Sequence, residues 1–396
     1  MGGVYVGGNF RNTLTLPADG DITLEGAQSY GEKKSAFIAH INKDGKVVAA
    51  KAINSTANAE MVAKYPNSYN SDAAFCNLNS LAFVDGKLYA GILFSNVIKT
   101  SDGTKSLTSS SYDLSSMGSG VGSNTAFVAA QIDLSSMGVK SFPVVFGGNG
   151  NYSDSNYLGL NVTSAKLAGE GSHLYLAAQV FGFTSSGTLW LSDAEKDKGS
   201  FASAGGTNAY YMANIDMASN TVVSKVYDGK YEWTTSTTDP AIGDLHISDG
   251  KLLLAGSFMQ NCPVATDKKA VGNTDLFAAI LDKDNLSIKK VFISSFDETK
   301  SGANNQEYFS MVAALGKDLA FTGYVGAKNE YSDYVIDKKS PLLISVKNYC
   351  SEAPMSASYT DDDYLTGSLF TSNGTVYNAW LTKDLLTYYY EYYEGT

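Results

Sequence analysis

The chain has 396 residues with a formal net charge of −11, and it is 44% hydrophobic and 17% charged, a composition that excludes a disordered protein. Arg11 is its only arginine, and the acidic balance excludes the basic surface that binding to nucleic acid requires. No run of about 18 apolar residues occurs, so no transmembrane segment is expected.

Two kinds of segment alternate along the chain, and the first kind is a hairpin of two strands around a tight turn. Its second strand contains small residues before an aromatic one, as in Ala90 and Gly91 or Ala255 and Gly256. Its copies are VYVGGNF (4–10, second strand only), LAFVDGKLYAGILF (81–94), KLAGEGSHLYLAAQVF (166–181), LHISDGKLLLAGSF (245–258), MVAALGKDLAFTGYV (311–325) and YLTGSLF (364–370, second strand only). The turns at Asp85-Gly86 and Asp249-Gly250 are predicted to take positive φ angles.

The second kind of segment pairs an apolar strand with a polar turn and another strand. Its copies are AFIAHINKDGKVVAAKAI (36–53), AFVAAQIDLSSMGVKSFPVVF (126–146), YYMANIDMASNTVVSKVY (210–227), LFAAILDKDNLSIKKVFI (276–293), PLLISVKNYC (341–350) and VYNAWLTKDLLTYYYEYY (376–393). NKDG (42–45) and DKDN (282–285) stand at the same turn of the repeat and lack the later Glu of an EF-hand. They are therefore predicted to be hairpin turns rather than calcium sites.

A module of four short antiparallel strands that recurs in this way predicts an all-β fold, namely a β-propeller formed by residues 1–396 as a single domain. The copies give six four-stranded blades, and a seventh would require a degenerate blade near the C-terminus. The predicted blades span 1–53, 78–146, 163–227, 243–293, 309–350 and 355–393. The first lacks its innermost strand. The apolar runs and small residues are expected to let neighbouring sheets pack closely on both faces.

The alternation of DGKLYAGxF with FxAxID-KDG-V resembles the repeats of bacterial secreted and cell-surface β-propeller proteins, and this resemblance covers most of the chain. It implies an extracellular location and a binding or scaffolding role. The motif is a signature of the fold, and no functional residue of that family is carried over with it.

The first predicted strand, at 4–10, follows neither a basic region nor an apolar signal segment. Because it resembles the middle of a repeat, the numbering is expected to begin inside a longer precursor. The preceding segment would hold the targeting signal and could hold a lipid anchor. An extracellular or cell-surface location is therefore expected.

Long connections join the segments, and in a four-stranded blade they are predicted to gather on one face, opposite the tight turns. Such loops on a rigid scaffold often form binding sites. Their aromatic rings could stack on sugars, and their carboxylates could accept hydrogen bonds from hydroxyl groups. The candidate ligand-binding residues are Tyr152, Tyr157, Trp190, Glu232, Trp233, Tyr308 and Tyr331.

Signals for metals, cofactors and catalysis are sparse. Asp361, Asp362 and Asp363 are the candidates for a cation site, and no cofactor is expected. The cysteines, at positions 76, 262 and 350, form no CxxC motif, and three buried thiols are favoured over one disulfide. The three histidines lie in apolar strand patterns without zinc-site spacing.

These observations favour non-catalytic extracellular recognition of a carbohydrate or a protein through the long-loop face. A protein-interaction scaffold without a small ligand is one alternative. The other is a glycoside hydrolase or lyase that uses carboxylates from separate blades, which would leave no local motif.

Overall fold

A computed structural model describes residues 3–27, 34–64, 74–109, 111–113, 121–123, 125–147, 161–182, 186–191, 196–202, 207–228, 242–258, 261–269, 275–294, 306–315, 318–326, 340–346, 365–370 and 376–381. The chain divides into two compact units, Met1–Val226 and Tyr227–Thr396. Antiparallel sheets form both units, which confirms the all-β prediction.

The first unit contains twenty strands and one short helix among its described residues. They are β1 (Gly3–Phe10), β2 (Thr13–Leu16), β3 (Ile22–Glu25), β4 (Ser35–Asn42), β5 (Val47–Ile53), β6 (Ser55–Thr56), α1 (Ala59–Lys64), β7 (Cys76–Val84), β8 (Lys87–Ser95), β9 (Val97–Lys99), β10 (Ser106–Thr108), β11 (Ser111–Asp113), β12 (Val121–Ser123), β13 (Thr125–Ile132), β14 (Val139–Gly147), β15 (Asn161–Glu170), β16 (His173–Gly182), β17 (Ser186–Leu191), β18 (Lys196–Ala202), β19 (Thr207–Asp216) and β20 (Thr221–Asp228).

Three larger sheets of this unit follow the predicted modules. Sheet 1 has the order β1-β4-β5, sheet 2 has the order β18-β17-β14-β13-β8-β7, and sheet 3 has the order β15-β16-β19-β20. Small sheets form from β10-β9-β6, from β11-β12 and from β2-β3. Sheets 2 and 3 thus contain the expected four module strands in chain order. Among its described strands, sheet 1 has no counterpart of β7 or β15, as predicted for the first module.

Sheet 2 is buried on both of its faces. The side chains of Leu88 and Ile92 pack with Ile38 of sheet 1, whereas Tyr89 packs with Tyr211 of sheet 3. Successive residues of a strand point to opposite faces, so a strand covered on both sides needs apolar residues at every position. This explains the continuous apolar run of β8, and each large side chain that it buries contributes about 1.5–3 kcal/mol.

Close approach of the sheets requires glycine in β8. A Cβ atom at Gly91 would lie 2.4 Å from Oγ of Ser80 and 2.8 Å from Cζ of Phe127, both in sheet 2, and 3.2 Å from Cδ1 of Leu167 in sheet 3. At the matching position of β1, a Cβ atom on Gly7 would overlap the Leu78 side chain of sheet 2. The predicted role of the small residues is therefore confirmed at these positions.

The Asp-Gly turns have the predicted geometry. Asp85 and Gly86 have φ angles of 48° and 69°, and Asp249 and Gly250 have 53° and 69°. Positive φ at both central residues defines the type I′ turn, whose twist matches that of the flanking strands.

An Asp or Asn side chain organises the turn between the third and fourth strands in the first four predicted modules. The Oδ1 atom accepts a hydrogen bond from the backbone N–H two residues further on, over 2.9–3.0 Å. The pairs are Asn42 with Asp44, Asp133 with Ser135, Asp216 with Ala218, and Asp282 with Asp284. This confirms the prediction of hairpin turns at 42–45 and 282–285.

These hydrogen bonds also act on the carboxyl groups. The Ser135 hydroxyl, with backbone N–H groups of the same turn, lowers the pKa of Asp133 to about 2. The Ser219 hydroxyl and the Ala218 N–H similarly lower the pKa of Asp216 to about 2. Both turns are therefore stabilised by the ionised form of the carboxyl group.

Two long connections of the first unit contain strands where loops were predicted. In connection 182–208, β17 pairs with β14 from Thr188 opposite Gly147 to Leu191 opposite Val144. In connection 95–124, the N–H of Ser101 donates to the Val139 carbonyl, and its Oγ accepts from the Val139 N–H, both at 2.8 Å. These segments cover the outer edge of β14, which would otherwise expose unpaired backbone groups. Ser101 lies at the tight-turn end of β14, so the prediction that the long connections gather on the opposite face does not hold for connection 95–124.

The second unit contains eleven strands among its described residues. They are β21 (Ile242–Ser248), β22 (Lys251–Phe258), β23 (Asn261–Cys262), β24 (Ala265–Lys269), β25 (Asp275–Leu281), β26 (Ile288–Ser294), β27 (Gln306–Leu315), β28 (Asp318–Gly326), β29 (Ser340–Val346), β30 (Leu365–Phe370) and β31 (Val376–Leu381). Sheet 4 has the order β21-β22-β25-β26, and β23-β24 is a separate hairpin. Sheet 4 therefore contains the four strands predicted for the fourth module.

Sheet 5 joins strands of the fifth and sixth predicted blades in the order β27-β28-β29-β30-β31. Strand β29 pairs with β30, with Val346 opposite Leu365. Strand β30 in turn pairs with β31, with Phe370 opposite Val376. The described strands of the sixth predicted blade thus extend the fifth. The number of blades and the closure of a ring remain predictions.

We expect Gly91→Ala to lower the free energy of unfolding by about 1–3 kcal/mol, because the added methyl group overpacks the boundary between sheets 2 and 3. Urea unfolding followed by tryptophan fluorescence measures this loss. Lys87→Ala, at the exposed start of the same strand, is the control and should change stability by less than about 0.5 kcal/mol. An unchanged midpoint for Gly91→Ala would contradict the close packing.

We expect acid to weaken these turns. The folded pKa of Asp133 and Asp216 lies below the usual 3.8, so their stabilisation is complete above that value and is lost as the pH falls towards 2. Asp133→Asn with Asp216→Asn keeps the acceptor oxygens and should reduce the loss of the urea midpoint between pH 6 and about pH 2.5. Asp44→Asn, which removes a carboxylate that accepts none of these turn bonds, is the control. Equal acid sensitivity of the double variant and the wild type would refute this account.

Candidate functional site

The first strand of each complete module contains an irregularity near its start. The register shifts fall between Leu78 and Ser80, Val162 and Ser164, Ile242 and Asp244, and Phe309 and Met311. An extra residue in a strand reverses the alternation of its side chains. Leu78 therefore packs towards sheet 1, whereas Ala82 packs towards sheet 3. In a regular strand, two residues four positions apart would point to the same face.

The side chain after the extra residue binds the backbone of the next first strand. The Oγ atom of Ser80 accepts a hydrogen bond from the Leu167 N–H at 2.9 Å. In the second unit, Oδ2 of Asp244 accepts from the Val312 N–H at 3.0 Å. Counted back from the tight turn, the acceptors occupy one equivalent position and the donors another. Both units therefore repeat one contact between neighbouring first strands.

Further polar groups lie along the first strands of sheets 2 and 3. Lys166 Nζ donates to the Asn79 carbonyl at 2.9 Å, and the Ser164 hydroxyl donates to Oε1 of Gln179 at 3.0 Å. We call the set Asn79, Ser80, Ser164, Lys166 and Gln179 the polar row. Its shown hydrogen bonds are internal: Ser80 and Lys166 bond to the backbone of the neighbouring first strand, and Ser164 bonds to the buried Gln179 of β16, so the row helps to hold sheets 2 and 3 together.

The β1 strand is tied to the start of β7 by one amide side chain. Asn9 Oδ1 accepts from the Leu78 N–H at 2.7 Å, and Asn9 Nδ2 donates to the Leu78 carbonyl at 3.0 Å. Close to these bonds in sequence, the buried Asn77 Oδ1 atom has no hydrogen-bond partner among the described residues, and neither has Thr163 Oγ1 at the irregularity of β15. Buried polar atoms are usually satisfied, so a water or a ligand hydroxyl is expected at each.

The structure places two of the ligand-binding residues predicted from sequence, and both lie in strands. Trp190 lies in β17, opposite Val145 and Asp197, and Tyr308 lies in β27, opposite Tyr324. The prediction of these two as loop residues is therefore wrong. The other candidates lie outside the described residues, and so do the candidate cation ligands: Tyr152, Tyr157, Glu232, Trp233, Tyr331, Asp361, Asp362 and Asp363.

Two described cysteines are buried, and two of the described histidines contact neighbouring side chains, whereas His246 is exposed in β21. Cys76 and Cys262 are both buried, and burial raises the pKa of the Cys76 thiol to about 12. The ring of His40 stacks on Tyr5 with centroids 4.7 Å apart, and His173 Nδ1 lies 2.8 Å from an amide oxygen in β19. Within the part of the chain that the structure describes, no three His, Cys, Asp or Glu side chains cluster to hold a metal ion.

The extra residue of the first strands leaves a signal in the sequence, which the apolar strand pattern obscures. An apolar residue, any residue, a small or acidic residue and another apolar residue recur as LNSL (78–81), VTSA (162–165) and IGDL (242–245). The spacing of three between apolar residues, where a strand has two, marks the extra residue. The fourth copy, FSMV (309–312), lacks the polar acceptor.

Comparison with known proteins leaves the structure itself as the basis for any functional assignment. No protein-family model matches the chain, and a search of curated proteins finds no match. Among the described residues, no helix has the length and hydrophobicity needed to cross a membrane.

We expect Ser80→Ala to leave the Leu167 N–H unsatisfied, at a cost of about 1–3 kcal/mol, and to speed exchange of that amide hydrogen. Asp244→Ala should do the same to Val312. Hydrogen exchange is measured at both amides in both variants. Exchange at Val312 should be unchanged in Ser80→Ala, and exchange at Leu167 should be unchanged in Asp244→Ala, so each variant is the control for the other. Unchanged exchange at Leu167 in Ser80→Ala would show that this bond does not hold the strands together.

Proposed function

We propose that the chain is a secreted or surface-anchored β-propeller protein that recognises a carbohydrate or another protein without catalysing a reaction. The observation that supports this most is the repeated contact between first strands, Ser80 to Leu167 and Asp244 to Val312. Sheets that pack face to face and join through their first strands radiate from a common line, as propeller blades do.

The burial of sheet 2 supports a rigid scaffold. A sheet packed on both faces has little freedom to rearrange, so a ligand would meet a preformed surface rather than induce one. The hairpin turns within the modules of sheets 2 and 3 are short and lie at one end of each sheet. The opposite end is therefore the place where the longer connections begin. Recognition by stacking and hydrogen bonding suits such a surface.

The composition of the longer connections supports a polar ligand. Trp233 and Glu232 stand next to each other, and Tyr152 and Tyr157 flank Asp154. Aromatic faces can stack on the apolar faces of sugars, while carboxylates accept hydrogen bonds from hydroxyl groups. A neutral or cationic glycan, or a polar segment of a protein, is the class of ligand that this mixture favours.

The test is a panel of oligosaccharides, polysaccharides and extracellular proteins, measured with wild type and Trp233→Ala, with released sugars assayed in the same wells. We expect one ligand class to bind without sugar release and to bind more weakly to Trp233→Ala. Val223→Ala, at an exposed valine of β20, is the control and should bind as the wild type does. Release of sugars would overturn the non-catalytic assignment, and undiminished binding by Trp233→Ala would overturn the assigned surface.

A further inference from the structure

The β17–β18 hairpin belongs to one module in sequence and to another in structure. It lies in the connection between β16 and β19, which are neighbours in sheet 3, yet β17 pairs with β14 of sheet 2. The pairing runs from Thr188 opposite Gly147 to Leu191 opposite Val144. The chain therefore leaves sheet 3, adds two strands to sheet 2 and returns to sheet 3.

Apolar side chains of β17 anchor this hairpin in the core that sheets 2 and 3 share. Leu189 and Leu191 are both buried, and they belong to the same apolar cluster as Phe146 of sheet 2 and Tyr211 of sheet 3. The hairpin is thus held by main-chain pairing with sheet 2 and by side chains that contribute to the core between the two sheets.

The connection of the preceding module makes a contact of the same kind. Strand β9 lies between β8 and β13 of sheet 2, yet it pairs with β6, which follows the last strand of sheet 1, with Ile98 opposite Ser55. The Ser55 hydroxyl also donates to the Val97 carbonyl at 3.2 Å. Ile98 is buried in the apolar cluster that side chains of sheets 1 and 2 form together. Two successive modules therefore send this connection to the outer side of the module before them.

We propose that these connections are clasps that make neighbouring sheets open together. The β17–β18 hairpin holds sheet 3 on sheet 2, and β9 holds sheet 2 on sheet 1. A sheet can then leave its neighbour only if the clasp strand unpairs and its apolar side chains leave the shared core, so the two events form one cooperative opening. A connection that only shielded the edge of β14 would open locally, while the sheets stayed together.

The strand register allows each clasp to be removed while its own sheet is kept. Gly182 lies opposite Thr207 where the pairing of β16 with β19 ends, so Asn-Gly in place of residues 183–206 would close a two-residue hairpin. Ser95 lies opposite Thr125 in the same way, so Asn-Gly can also replace residues 96–124. The two deletions have the same design and act on different pairs of sheets, so each is the matched control for the other.

Native-state hydrogen exchange in increasing urea, read by mass spectrometry, tests the clasps. In the wild type we expect the amides of β14, β16 and β17 to share one urea dependence. Deletion of 183–206 should raise exchange in β16 by about tenfold or more and separate its urea dependence from that of β14, with exchange in β4 of sheet 1 changed by less than about twofold. Deletion of 96–124 should raise exchange in β4 and leave β16 unchanged.

Faster exchange in β14 alone after deletion of 183–206 would show that the hairpin only covers an edge, and equal changes in all three sheets after either deletion would show one core without clasps. Both results would overturn the proposal.

A second variant keeps the test valid if a deletion prevents folding. Leu189→Ala/Leu191→Ala removes the two anchors from the full-length chain and should also separate the urea dependence of β16 from that of β14. Leu252→Ala/Leu254→Ala, at two buried leucines in the same alternation on β22 of the second unit, is its control and should leave that shared dependence intact. A shared dependence that persists in Leu189→Ala/Leu191→Ala would contradict the clasp.

Discussion

The central sheet of the first unit is covered on both faces, and much of the remaining structure depends on this constraint. Strands that are buried on both faces need apolar residues at nearly every position, which is why β8 and β13 are nearly continuous hydrophobic runs. The same constraint favours glycine where neighbouring sheets come close, as at Gly7 of sheet 1 beside Leu78 of sheet 2. Polar side chains are nevertheless found at the turns and at the irregular starts of the first strands, as with Asp133 and Ser80.

Local chemistry made much of the fold predictable. The Asp-Gly turns and the Asp-initiated turns depend on residues a few positions apart, so their geometry could be read from the sequence. The apolar runs likewise predicted strands, and their recurrence predicted four-stranded antiparallel modules. These features follow from φ preferences, side-chain hydrogen bonds and the alternation of strand residues, all of which act within a short segment.

Contacts between distant segments could not be predicted in this way. Ser80 and Leu167 are 87 positions apart, and neither residue alone indicates the other. The pairing of β17 with β14 likewise depends on an outer edge that needs covering, which a pattern of alternating residues does not reveal. For the same reason, the candidate Trp190 was assigned to a loop. The polar row as a whole was missed, because a single extra residue hides it within an apolar strand.

The account rests on the claim that sheets 1, 2 and 3 radiate as blades, with β7 and β15 beside a common axis. A crystal structure of the full chain tests this most directly. The account predicts that these sheets fan out around that axis, with the tight turns of sheets 2 and 3 at one end. A parallel stack of sheets without a common axis, or tight turns distributed over both ends, would contradict it.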